Sequence, residues 1–242
     1  MAVDIASGDL LWAFQADEND VFMGGCNGPV KSDACPNPNG PDLDIGNPPI
    51  LKTLPNGKRI LIGGTKRGHV FALDPDNGGK LLYRVLASTG APAPTAPPAG
   101  GGRGGGGGTI VWGGAADDQN VYYGAVTAGL TALRIGTGER AWSFTPPQGR
   151  GSLGAAPTSI PGVVFEGSST GMLYAVSAAD GKQLWEFNTA QEFKTVNGVP
   201  AHGGAISTTG ASIANGMVFI GSGYAISAGA SGGNVLLAFG LD

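Results

Sequence analysis

Gly68-His69-Val70-Phe71-Ala72-Leu73-Asp74, closed by Gly79-Lys80-Leu81-Leu82-Tyr83, decides the fold reading because the chain repeats it. With its leader Ile60-Leu61-Ile62-Gly63-Gly64, the unit returns as Val121-Tyr122-Tyr123-Gly124, Gly129-Leu130-Thr131-Ala132-Leu133 and Gly138-Glu139-Arg140-Ala141-Trp142. It returns again as Val163-Val164-Phe165-Glu166-Gly167, Gly171-Met172-Leu173-Tyr174-Ala175-Val176 and Gly181-Lys182-Gln183-Leu184-Trp185. Val218-Phe219-Ile220-Gly221 with Asn234-Val235-Leu236-Leu237-Ala238-Phe239 is a partial copy, and Ile5 through Trp12 is the tail of another. The turn glycines Gly8, Gly79, Gly138 and Gly181 lie 71, 59 and 43 residues apart. A fixed core of each unit is therefore separated by loops of variable length, the signature of a repeat architecture.

Each unit reads as strand, tight turn, strand, tight turn, strand. β-branched and aromatic runs supply the strands, and Asp76-Asn77-Gly78-Gly79, Gly136-Thr137-Gly138 and Ala179-Asp180-Gly181 supply the positive φ that hairpins need. Near-continuous apolar runs such as Ile60-Leu61-Ile62 suit strands covered on both faces. Four-stranded blades stacked radially provide that setting, so the expectation is an all-β chain, a β-propeller of about four to five blades that forms part of a larger propeller. The expected division is a blade tail at 1–16, a loop carrying the cysteine pair at 17–50, and a blade at 51–86. A flexible Gly/Pro-rich excursion at 87–108 follows, then blades at 109–148 and 149–190 and a closing blade at 191–242.

Composition agrees and excludes alternatives. The 242 residues include 45 Gly and 17 Pro, against only 14 Lys+Arg and 18 Asp+Glu, which is the make-up of a turn-rich β protein. The glycines lack the three-residue period of collagen, and 41% hydrophobic residues with a net charge of −4 are enough to build a core. No apolar run of transmembrane length occurs, and the thinly spread cations form no stripe that would neutralise phosphates, which argues against nucleic acid as a partner. Cys26 and Cys35, the only cysteines, sit nine positions apart in one Gly/Pro/Asn-rich stretch. A local disulfide worth about 2 kcal/mol is expected, with two free thiols as the alternative; the bridge implies an oxidising compartment. Met1 runs straight into repeat sequence without a charged or apolar leader, so a start inside a longer protein is expected.

Val70-Phe71-Ala72-Leu73-Asp74 with Gly78-Gly79-Lys80-Leu81-Leu82-Tyr83, and its sisters ending in Trp142 and Trp185, resembles the tryptophan-docking repeat of the pyrroloquinoline-quinone (PQQ) dependent alcohol dehydrogenases, the quinoproteins. Between the repeats, Asp17-Glu18-Asn19-Asp20-Val21-Phe22 is similar to that family's Pro-x-Asp-x-Trp segment, with Asp20 at the catalytic aspartate. Glu18 replaces the usual proline and Phe22 the usual tryptophan. Gly40-Pro41-Asp42-Leu43-Asp44 through Pro48 resembles the stretch that follows, and Lys66, two before Gly68, takes the place of the basic residue on the quinone oxygens. The order of these segments is most similar to the branch that oxidises polyvinyl alcohol.

The resemblance implies an enzyme oxidising secondary alcohols, small or polymeric, with PQQ and Ca²⁺. In it Asp20 is general base and metal ligand, Lys66 and Trp112 line the cofactor, and a cytochrome c or quinone accepts the electrons. It implies a periplasmic or secreted protein. Asp42 and Asp44 read more simply as turn caps, and His202 as a loop residue rather than a ligand. The rival reading is a cofactor-free propeller acting as a scaffold or binding module, possible as a homo-oligomer that closes its ring with a second copy.

Overall fold

The computed structural model describes residues 1–18, 20–23, 25–26, 29, 32–37, 39–40, 42–89, 109–126, 128–147, 152–225 and 230–240. Every regular element among them is a strand. β1 (Ala2–Val3) and β2 (Leu10–Trp12) form a two-stranded sheet. The quoted stretch builds the first four-stranded sheet, from β3 (Ile50–Thr53), β4 (Arg59–Gly64), β5 (His69–Asp74) and β6 (Lys80–Leu86). The second sheet contains β7 (Gly114–Ala116), β8 (Asn120–Ala125), β9 (Gly129–Arg134) and β10 (Arg140–Phe144). The third contains β11 (Thr158–Ile160), β12 (Val163–Gly167), β13 (Met172–Ser177) and β14 (Gln183–Asn188). A short pair, β15 (Glu192–Phe193) and β16 (Ala201–His202), precedes a three-stranded sheet of β17 (Ser212–Ala214), β18 (Met217–Ser222) and β19 (Val235–Phe239).

Within each sheet the strands run antiparallel in sequence order, so every connection is a hairpin. β7 touches both β3 and β11, which brings the first strands of the sheets together on one side and leaves the fourth strands outside. Those first strands are the elements that the repeat pattern does not announce. Gly114-Ala115-Ala116 has little intrinsic strand preference, and at Gly114 a Cβ would come within 2.5 Å of the Tyr123 ring, so the close packing there requires glycine.

The sheets pack face to face through apolar clusters. One cluster joins Ile60, Ile62, Val70 and Val85 to Val121, Tyr123 and Leu133. The next joins Tyr122, Leu130, Trp142 and Phe144 to Val164, Met172 and Tyr174. The stacking has a fixed device: the aromatic that ends one unit lies on the turn glycine of the next. A Cβ at Gly138 would come within 2.7 Å of the Tyr83 ring, and one at Gly181 within 2.7 Å of Trp142. Both glycines have φ of +74°, so the turn and the ring contact demand the same residue.

The cysteines at 26 and 35 are bridged, as expected. The tract expected at 87–108 lies mostly outside the described residues; its first residue, Ala87, is buried in the first core cluster. No helix among the described residues is long and apolar enough to cross a membrane.

Glu166 on β12 is the exception to an apolar interface. It is 1% exposed, and neither carboxyl oxygen has a hydrogen-bond partner among the described residues. Gly124 of the neighbouring sheet makes room for it, since a Cβ there would sit 2.7 Å from its Oε1. Burial pushes this carboxyl well above its ordinary value. The folded state therefore holds it neutral while the unfolded chain ionises it, so its contribution is fully present in acid and is lost as pH rises above about 4.3. Glu166→Gln should gain about 1–3 kcal/mol over the natural chain at pH 7–8, with the difference vanishing near pH 4, measured by denaturant melts across that range.

Candidate active site

Three segments meet on one face: the long loop between β2 and β3, the β4–β5 turn, and the approach to β7. The turn is closed by Gly68 N–H donating to the Thr65 carbonyl (2.8 Å). Asn47 clips the loop to the end of β4, its amide donating to the Gly64 carbonyl (2.9 Å) while its carbonyl oxygen accepts from Gly64 N–H (3.3 Å). Gly46 lies against the Val111 carbonyl, where a Cβ would come within 2.9 Å of the oxygen. Ile110 N–H donates to the Thr65 carbonyl (3.3 Å). These contacts fix Lys66, the loop carboxylates and the segment carrying Trp112 relative to one another.

Lys66 projects from the turn into the loop. Its ammonium is 2.7 Å from Asp42 Oδ1 and 2.6 Å from Asp44 Oδ1. Burial alone would lower its pKa, but hydrogen bonds to Asp42 and Asp44 outweigh it and hold the amine above its ordinary value. Asp42 and Asp44 are thus not turn caps, as their sequence suggests, but the counter-ions of Lys66. Asp20 joins the same segment from the other side: its Oδ1 accepts from Leu43 N–H (3.0 Å), the residue between the two aspartates, and Leu43 is buried. Trp112 is partly exposed at 39%. The structure therefore brings Asp20 and Lys66 onto one three-residue strip, with Trp112 beside Val111 on the neighbouring segment.

A second charged group lies beneath the turn. Asp17, with 3% of its side chain exposed, is contacted through Oδ1 by Arg84 (2.8 Å), Arg67 (3.0 Å) and His69 (3.4 Å). Arg84 Nε also lies 3.1 Å from His69 Nδ1, the same ring nitrogen that faces Asp17. Burial raises the Asp17 pKa, but His69, Arg84 and Arg67 together bring it below the ordinary carboxylate value. Sequence reading passes over this group: Asp17 enters it only as the first residue of the Asp17–Phe22 segment, and Arg67 carries no role in it.

Asp17, Asp42 and Asp44 are matched to cations and Asp20 to an amide, and no group of three or more His, Cys, Asp or Glu side chains that could hold a metal ion occurs among the described residues. Calcium takes six to eight oxygens. Among the described residues Asp20 leaves one carboxyl oxygen without a partner, and the nearest carboxylates are engaged by Lys66, so the donor set does not fit calcium. A quinone fits better: the Lys66 ammonium has three N–H donors, of which the two aspartates take two, and Trp112 offers part of an indole face.

Residues 1–238 match the family described as outer membrane protein assembly factor BamB (PQQ_2), and the chain belongs to it. It is 38% identical over its whole length to a polyvinylalcohol dehydrogenase of a Pseudomonas species and 35% identical to that of Sphingopyxis sp. strain 113P3. It spans 39% of the length of each of these relatives. The quinohemoprotein alcohol dehydrogenase of Pseudomonas putida HK5 superposes with a TM-score of 0.55 at 18% identity, over 79% of this chain and 29% of that one, a likeness of fold.

Removing the carboxylate from the buried group should be costly. Asp17→Asn is expected to lose about 3–5 kcal/mol at neutral pH, because Arg67, buried, and Arg84, half-buried, are left without their counter-charge. In the natural chain that stabilisation is present above the unfolded value of 3.8 and lost as pH falls below it, so the variant's acid unfolding should be the shallower of the two.

Proposed function

We propose that this chain is the part of a quinoprotein alcohol dehydrogenase that supplies a proton-accepting carboxylate and the cationic side of the quinone pocket. The supporting observation is the strip 42–44, which ties Asp20 and Lys66 together on one loop. In this reading the stacked sheets are blades of a propeller, about four to five of them within a larger ring, divided at the boundaries expected from sequence. The identity to polyvinylalcohol dehydrogenases supports a secondary alcohol, small or polymeric, as substrate. A cytochrome c or a quinone is the proposed electron acceptor, and the Cys26–Cys35 bridge supports a periplasmic or secreted location.

PQQ bound here would supply the acceptor for the hydride from the alcohol carbon. The chain's own contributions are distinct from that. The remaining N–H of Lys66 donates to a quinone oxygen and stabilises negative charge there, and Asp42 and Asp44 keep that ammonium aimed and protonated. Asp20 takes the hydroxyl proton on its carboxylate, where the Leu43 amide fixes one oxygen and leaves the other for substrate. Trp112 covers a flat ring and excludes water. Asp20 alone falls short of a calcium shell, so no step is assigned to that ion here.

The reading is tested by adding PQQ, with and without Ca²⁺, and following the melting temperature and dye reduction with a secondary alcohol. Binding is expected to stabilise the chain by about 2.7 kcal/mol at a hundredfold excess over the dissociation constant. Lys66→Ala should abolish that shift, while Asp20→Asn should keep it and slow oxidation by about 10²–10⁴-fold. No shift and no dye reduction under any of these conditions would leave the cofactor-free scaffold as the better reading.

A further inference from the structure

Within each complete sheet a third-strand alanine faces the fourth-strand aromatic: Ala72 opposite Tyr83, Ala132 opposite Trp142, and Ala175 opposite Trp185. The two-stranded sheet follows the same rule, with Ala2 opposite Trp12. The aromatic then reaches over the next sheet and donates a hydrogen bond three residues past that sheet's alanine. Trp12 Nε1 reaches the Pro75 carbonyl (3.3 Å), the Tyr83 hydroxyl that of Ile135 (3.0 Å), and Trp142 Nε1 that of Ala178 (2.9 Å). In each case a turn glycine, Gly79, Gly138 or Gly181, lies under the ring.

Three half-sites of this pattern are left over. Trp185 is 38% exposed where Trp142 is 8%, and it faces a groove of about 400 Å³ lined by Val218, Gly216 and Phe239, with no turn glycine against its ring among the described residues. Gly8 is a turn glycine, with φ of +80°, whose Cβ position has nothing within 4 Å. Ala238 on β19 pairs with Phe219 of β18 on one side, the other edge of β19 has no strand against it among the described residues, and Leu236, two positions away, is 71% exposed.

We propose that β2 of a second copy of this chain pairs with the open edge of β19, setting its Trp12 opposite Ala238 and its Gly8 under Trp185. The register of β13 on β14 then places Phe14 of the second copy opposite Leu236. The second copy is the fitting occupant because β2 of the same chain does not pair with β19, while any β2 keeps its Trp12 on Gly79 of the sheet that follows it. Stacking thus passes from β17–β19 of one chain into β3–β6 of the other. The arrangement is reciprocal, as a two-fold dimer requires, and two chains bring eight four-stranded sheets, within the range of known rings. β1, two residues long and irregular in register, gives up β2 to the five-residue β19. The proposal depends on how the sheets stack and not on any bound cofactor.

Light scattering on the size-fractionated 242-residue chain tests it. A mass of two chains is expected at about 10–100 μM. Ala238→Arg, at an exposed position of the free edge, should give a single-chain mass with unchanged circular dichroism and melting temperature at low concentration. A chain lacking Met1–Val3, which frees β2 from β1, should dimerise at least about tenfold more tightly. A single-chain mass throughout, or a dimer indifferent to both Ala238→Arg and the loss of β1, would overturn the proposal.

Discussion

The fold depends on a flat aromatic ring from one sheet lying on a left-handed glycine of the next. Hydrogen bonds within each sheet define the sheet, but they do not say how one sheet sits on another. The ring and glycine do: Trp142 reaches Gly181 and the Ala178 carbonyl at once, so distance and orientation are fixed together. The apolar clusters then fill in between surfaces already in register. A side chain at the glycine would need both an unfavourable φ and space that the ring occupies, so the two requirements reinforce each other.

That stacking positions the chemistry. The loop entering β3 and the segment entering β7 both bond to the end of β4 and the turn that carries Lys66, so the order of the sheets decides which segments meet there. The result is two charged layers with opposite characters. Lys66, Asp42 and Asp44 sit where solvent or a ligand can reach, with an ammonium that keeps one donor in reserve. Below them Asp17, Arg67, His69 and Arg84 are closed off and neutralise one another in part, anchoring the turn that presents Lys66.

Much of this was legible in the sequence, for identifiable reasons. The second, third and fourth strands of each sheet carry apolar runs bounded by turn glycines, and the unit-ending Trp and Tyr mark the docking points. The first strands were less legible, since Gly114-Ala115-Ala116 pairs through position rather than propensity and Thr158-Ser159-Ile160 is only three residues long with no turn glycine before it. At the site, Lys66 was readable from its place before Gly68, and the cysteine pair from proximity. The partners of Lys66 were not, because Asp42 and Asp44 look like turn residues until the loop folds back over more than twenty positions to meet the lysine. The burial of Asp17 was not legible for the same reason: an acidic run gives no sign of which member turns inward.

The measurement that addresses the docking principle most directly is a double-mutant cycle on Tyr83 and Gly138, followed by denaturant unfolding. Gly138→Ala meets the Tyr83 ring in the natural chain, whereas with Tyr83→Ala already in place only the backbone cost of the turn remains. A coupling of about 1 kcal/mol or more between the two changes is expected. Strictly additive effects would contradict the account, because the ring and the glycine would then stabilise the fold independently.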